Sequence, residues 1–257
     1  MATHGNRRAP VHAAIDFGLA ELRPDAARAR GWTLLVDGVP QSYVDLDDPG
    51  HLEFPYVKDL GRVIKAWLPG RVRPRVLHLG GGALTLPRLI ARLRPDVEQT
   101  VVERDAGLIT LVERFLPFPK SITVRAEDAR HAIAHEQADL IIVDVFQGAA
   151  MPAGVSSIAF ARATRNALDD NGLLAVNLTD VPPLAHTRIQ AATWPTAFAG
   201  LRILGPGAVL RGRRAGNVIV LAGDVPMIRI GKHERMIGGA DLAEFIGGAR
   251  PRLDEPG

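Results

Sequence analysis

Val76-Leu77-His78-Leu79-Gly80-Gly81-Gly82 is the stretch on which the fold turns: a short apolar run breaks into three glycines, and Leu84 to Leu93 follow with apolar residues at helical spacing. Strand, glycine turn and helix together open a parallel sheet, because the chain must cross over before the next parallel strand can begin. Glycines at such a turn let a ligand approach the backbone, and the N-terminus of the following helix offers unpaired N–H groups and positive potential. A dinucleotide site would carry G-x-G-x-x-G or A, and the third position here is Thr85, which weakens that reading. The turn alone serves packing as readily as binding.

Downstream, Gln99–Glu103, Ile122–Ala126, Asp139–Asp144 and Leu173–Leu178 are further short apolar runs separated by helical segments. Such alternation builds a parallel sheet covered on both faces. Leu201–Leu204 and Asn217–Leu221 have no crossover helix between them and read as an antiparallel pair at the sheet edge, which brings the sheet to seven strands. Upstream, Trp32–Val36 and Val39–Val44 flank Asp37-Gly38, the dipeptide of a type I′ hairpin. Phe54, Val57, Leu60, Ile64, Trp67 and Leu68 then recur every three or four residues between Glu53 and Leu68, a helix stopped by Pro69-Gly70. The chain is thus expected to have a disordered lead-in at 1–10, a small β-hairpin appendage with its linking helix at 11–70, a nucleoside-binding α/β domain at 71–238 and a tail at 239–257 with a helical turn or two around Asp241–Ile246.

With 257 residues and 47% hydrophobic content the chain can bury a full core. No run of about 18 apolar residues occurs and the start lacks an apolar leader, so the reading is a cytoplasmic protein with no membrane partner. Absence of cysteine excludes thiol nucleophiles and thiolate metal sites. A net charge of +3 is too small to argue for nucleic acid, and the arginine runs at Arg71, Arg73, Arg75 and at Arg211, Arg213, Arg214 are not interleaved with base-stacking aromatics. His131 and His135 share a helical face, but no third ligand accompanies them, so no metal is expected. Ser42, Ser156 and Ser157 lack the turn that exposes a nucleophile.

The chemistry is expected at strand ends. Glu103 closes the second strand, where a carboxylate accepts ribose hydroxyls or else caps the next helix. Asp128 follows the third strand, placed either to accept from an adenine amino group or to N-cap Ala129–Ala134. Asp144 ends the very apolar Leu140-Ile141-Ile142-Val143, where partial burial would raise its pKa toward that of a general base. His51, five residues before Tyr56, either faces the pocket or sits at the surface, and His78 reads as a neutral, hydrogen-bonded core histidine.

The order of these residues resembles the spermidine synthases and other polyamine aminopropyltransferases over 32–180, which implies a Rossmann-like, methyltransferase-type α/β sheet of seven strands. Position by position, Val36-Asp37-Gly38 with Gln41 is similar to the family hairpin whose glutamine meets the nucleoside, and Tyr56 to its active-site tyrosine. Gly80, Gly81 and Gly82 resemble the loop beside the adenosyl group, Glu103 the ribose-binding acid, Asp128 the adenine-binding acid and Asp144 the first acid of the family's D-S-S-D-P loop. The resemblance implies catalytic roles for Asp144 and Tyr56, acceptor contacts from His51 and Gln147, S-adenosylmethionine or its decarboxylated form as co-substrate, a small-molecule acceptor and a homodimer.

Two positions depart from the family. Ala83 stands where G-G-G-D carries an acid, and Gln147 where D-S-S-D-P carries its second. Those acids hold ammonium groups, and a dehydrated ammonium without a counter-charge is costly. The expectation is therefore an intact nucleoside half, an acceptor half unsuited to putrescine and aminopropyl transfer to another acceptor. Methyl transfer, or nucleoside binding without turnover, is the alternative.

Overall fold

The computed structural model describes residues 8–146 and 151–254. The N-terminal part is a four-stranded antiparallel sheet in chain order, formed by β1 (Val11–Ile15), β2 (Gly18–Pro24), β3 (Gly31–Val36) and β4 (Val39–Asp45). The β3–β4 hairpin turns on Asp37 and Gly38, both at positive φ (49° and 77°), as its dipeptide requires. The appendage is thus larger than the single hairpin expected. The run VHAAI is short and broken by two alanines, and GLAELRP has no β-branched residue, so local propensity announces neither strand.

Helix α1 (Pro55–Trp67) begins with proline at its first position and buries Val57, Leu60, Val63, Ile64 and Trp67. Then come β5 (Arg75–Leu79), α2 (Thr85–Leu93), β6 (Glu98–Glu103), α3 (Ala106–Phe115), β7 (Ile122–Ala126), α4 (Ala129–Ala132), β8 (Ala138–Val143), α5 (Ile158–Ala167) and β9 (Leu168–Asp180). Helix α6 (Ala185–Thr193), β10 (Arg202–Pro206), α7 (Gly207–Leu210), β11 (Gly216–Gly223), β12 (Glu234–Gly238) and α8 (Gly239–Ile246) complete the chain. The main sheet has eight strands in the order β12-β10-β11-β9-β8-β5-β6-β7, not the seven expected. The additional one, β12, pairs antiparallel with β10 at the edge, and its ERMIG sequence lacks the apolar run of a central strand. Strands β5 to β9 are mutually parallel, β11 runs antiparallel to β9, and β10 and β11 form an antiparallel pair as the sequence predicts.

Alternation along the strands sends Leu77, Leu79, Ile141 and Val143 to one apolar layer and Val76, Leu140 and Ile142 to the other. A third apolar cluster joins the N-terminal sheet to α2 and α3 through Leu22, Leu34, Ala83, Leu84 and Leu111. Strand order reverses at β5: the chain builds outward to β6 and β7, then crosses back to lay β8 on the other side. Such a switch point leaves a crevice at the carboxyl ends of the two central strands, between their diverging crossovers. Among the described residues, no helix is long and apolar enough to cross a membrane.

Candidate functional site

At the carboxyl ends of β5 and β8 the backbones converge. Gly80 N–H donates to the Val102 carbonyl and Asp144 N–H to the Leu79 carbonyl. Gly80 has φ of 96°, and a Cβ there would collide with the Asp144 carbonyl oxygen, so this close approach requires glycine. A Cβ on Gly82 would likewise meet the Ser42 hydroxyl of β4.

A cavity of about 380 Å³ opens over this turn. Gln41, Tyr56, Gly80, Gly81, Gly82, Glu103, Asp128 and Asp144 all line it, so eight of the ten site residues named from the sequence come together. His51 does not line it: its ring lies edge-on to Tyr43 and its Nε2 is 3.1 Å from Glu53 Oε2, on the surface side of the segment leading into α1. Gln147 lies outside the described residues.

Glu103 accepts one backbone N–H on each carboxylate oxygen, from Gly81 (3.0 Å) and from Asp105 (3.1 Å). It therefore ties the glycine turn to the start of α3 and keeps a lone pair on each oxygen for a ligand. Asp128 caps α4 by accepting from Arg130 N–H at 2.8 Å and also lines the cavity. Asp144 accepts from Asn177 Nδ2 at 2.8 Å and lies 3.4 Å from the Tyr56 hydroxyl. Burial raises the Asp144 pKa above the usual carboxylate range, against the two hydrogen bonds that favour its charged form. Burial also raises the Tyr56 pKa, and the neighbouring Asp144 adds to the shift. This aspartate is thus a carboxyl of raised basicity held among neutral donors, fit to take a proton from a bound group.

Other residues at the site were not singled out from the sequence. Asp105 caps α3 through Leu108 N–H (2.7 Å) and also accepts from Asp16 and Phe17 N–H at 3.1 and 3.0 Å. That pins the β1–β2 turn across the mouth of the cavity, where Phe17 stacks under the Arg104 guanidinium at 4.0 Å. Arg88, buried without a carboxylate, donates to the carbonyls of Ala83, Leu116 and Pro117, bracing the glycine turn against the C-terminal end of α3. Its burial lowers its pKa to about 10. Asn177 had one signal in the sequence, a lone amide inside an apolar strand, since a buried amide demands a partner.

Ala83 does not face the cavity: it is 0% exposed and packs in the third apolar cluster. His78 is buried, bonded to Gln99 at 3.0 Å and lowered by burial to about 4, in keeping with a neutral core histidine. Among the described residues, no group of three or more metal-binding side chains occurs.

No protein-family model matches the chain. It is 30% identical over 164 residues to a polyamine aminopropyltransferase of Vibrio vulnificus, a match covering 61% of this chain and 52% of that protein. The chain thus spans about half the length of that curated relative. A probable spermidine synthase from Corynebacterium glutamicum is 26% identical, and its crystal structure superposes with a TM-score of 0.89 over 97% of this chain and 98% of that one. Human methyltransferase-like protein 13, in complex with SAH, shares the fold at a TM-score of 0.52 and 18% identity over 74% of this chain and 86% of that one. The chain is spermidine synthase-like, with a methyltransferase-type fold.

Proposed function

We propose that the chain is a transferase of the aminopropyltransferase kind, binding an adenosyl sulfonium donor with an acceptor site altered from one for putrescine. The observation that carries this reading is the single cavity in which the glycine turn, Glu103, Asp128, Tyr56 and Asp144 meet. In this reading Glu103 accepts hydrogen bonds from the ribose hydroxyls and Asp128 from the base's amino group, and the nucleoside lies beside the turn at Gly80–Gly82, all of which line the cavity. An acceptor amine beside Asp144 would attack the carbon next to sulfur; the C–N bond forms, the C–S bond breaks, and neutral methylthioadenosine leaves. The amine's proton passes to Asp144, whose raised pKa suits it to that task, and Tyr56 holds the carboxyl at the cavity edge.

A second reading is methyl transfer from S-adenosylmethionine itself. Ala83, buried in the third apolar cluster, supplies no carboxylate that would hold a donor ammonium or repel the carboxylate of the intact donor. Calorimetric titration with S-adenosylmethionine, its decarboxylated form and methylthioadenosine separates the two. Preference for the decarboxylated donor supports aminopropyl transfer and preference for the intact donor supports methyl transfer. Binding of none rejects a nucleoside site.

A further inference from the structure

Val143, the last residue of β8, pairs with Val176 of β9, so the next position on β9, Asn177, stands beside Asp144. Asn177 is 1% exposed in an otherwise apolar stretch. Its Nδ2 donates to Asp144 Oδ1 at 2.8 Å, and its Oδ1 accepts from Asn217 Nδ2 at 3.1 Å. Asn217 belongs to β11, two residues from Ile219, which lies directly opposite Asn177 in the antiparallel ladder. The two amides therefore share one face of the sheet as diagonal neighbours.

A carboxamide has nearly the same shape either way round, yet its two ends are chemically opposite. Turned one way it donates to the carboxylate, and turned the other it sets an oxygen against it. The donor from Asn217 occupies Asn177 Oδ1, so only the orientation with the amino group toward Asp144 satisfies both contacts. On the other edge of Asp144, Oδ2 meets the Tyr56 hydroxyl, and Tyr56 and Asp144 line the cavity whereas Asn177 and Asn217 do not.

We propose that Asn177 and Asn217 are positioning residues, a fixed chain of amides that turns the Oδ1 edge of Asp144 into the protein and leaves Oδ2, beside Tyr56, to receive a proton at the cavity. This deepens the transferase reading only by naming what aims its base. Among the described residues, Tyr56 from α1 is the titratable side chain bonded to Asp144; Asn177 faces it from β9, and the β5 end presents backbone.

The test is the titration of Asp144, followed by carboxyl carbon resonances in aspartate-labelled protein and assigned with Asp144→Asn. It needs no substrate. Removing a donor to the charged form raises a carboxyl pKa, so Asn177→Leu should move the midpoint up by about one pH unit or more. Asn217→Ala does not touch Asp144 but frees Asn177 to turn over, and should move the midpoint in the same direction by less. Asn217 is half-buried, so its variant reads the chain even where Asn177→Leu fails to fold. A mere packing role would leave the midpoint in place. An unchanged midpoint in Asn217→Ala overturns the proposal, whatever Asn177→Leu does. Methylthioadenosine titration of the unmodified protein separates the two readings: binding with no midpoint shifts rejects the amide chain alone, and midpoint shifts without binding support the chain while rejecting the nucleoside site.

Discussion

Glu103 holds the glycine turn and α3 at once, so its removal tests both duties. Glu103→Ala should weaken methylthioadenosine binding by roughly 1–3 kcal/mol, measured calorimetrically, and unchanged affinity would leave Glu103 as a brace. Ala83→Asp would put a carboxyl into an apolar cluster rather than into the cavity; it should lower stability by roughly 2–4 kcal/mol in urea melts without restoring an amine contact. His78 makes a prediction about acid. Its folded pKa, about 4, lies below the unfolded value of about 6.5. The unfolded chain therefore takes up a proton that the folded one refuses, and stability is lost as pH falls from about 6.5 to about 4, by up to about 3 kcal/mol. His78→Leu should flatten that part of a urea-melt pH profile; an unaltered profile would refute it. Glu103, Asp128 and Asp144 were legible because acids at strand ends stand out against apolar runs. Ala83 was legible as a departure, but its inward direction was not, because a turn residue has no fixed face until the turn is built.

At the level of elements, the β1–β2 hairpin is held by contacts that no local pattern announces. Asp105 accepts from its two turn residues, and Ala106 N–H returns a bond to Asp16 at 2.8 Å. Asp105→Ala removes the α3 cap together with both turn contacts. The expected loss is about 1–2 kcal/mol, with faster hydrogen exchange at Asp16 and Phe17 and slower exchange elsewhere left as it was. Protection retained at those two amides would show that the hairpin docks by packing alone. The parallel strands and α1 could be read because runs of Val, Leu and Ile and a three-to-four period are local properties. Strands β1, β2 and β12 could not, because short segments interrupted by alanine or charge become strands only through their partners.

Across the whole molecule, two sheets and the segment ahead of α5 build the cavity walls. Pro152, Gly154 and Val155 line the side that leads into α5, and that segment is tied down from afar: Ser156 by Gln190, Ile158 N–H by the Arg252 carbonyl, and Ala159 N–H by the Asp254 carboxylate. Deleting residues 252–257 should lower stability by about 1–2 kcal/mol and weaken methylthioadenosine binding, since the first turn of α5 loses partners for its N–H groups. Affinity equal to that of the full chain would show that the wall stands without the tail. This dependence has a consequence in time. On the ribosome the N-terminal sheet and β5 to β9 are complete while Arg252 and Asp254 are still to be added, and a chain grows by roughly 5–20 residues per second. A nascent chain thus carries the N-terminal sheet and β5 to β9 before this wall is braced, and the brace arrives only with Arg252 and Asp254.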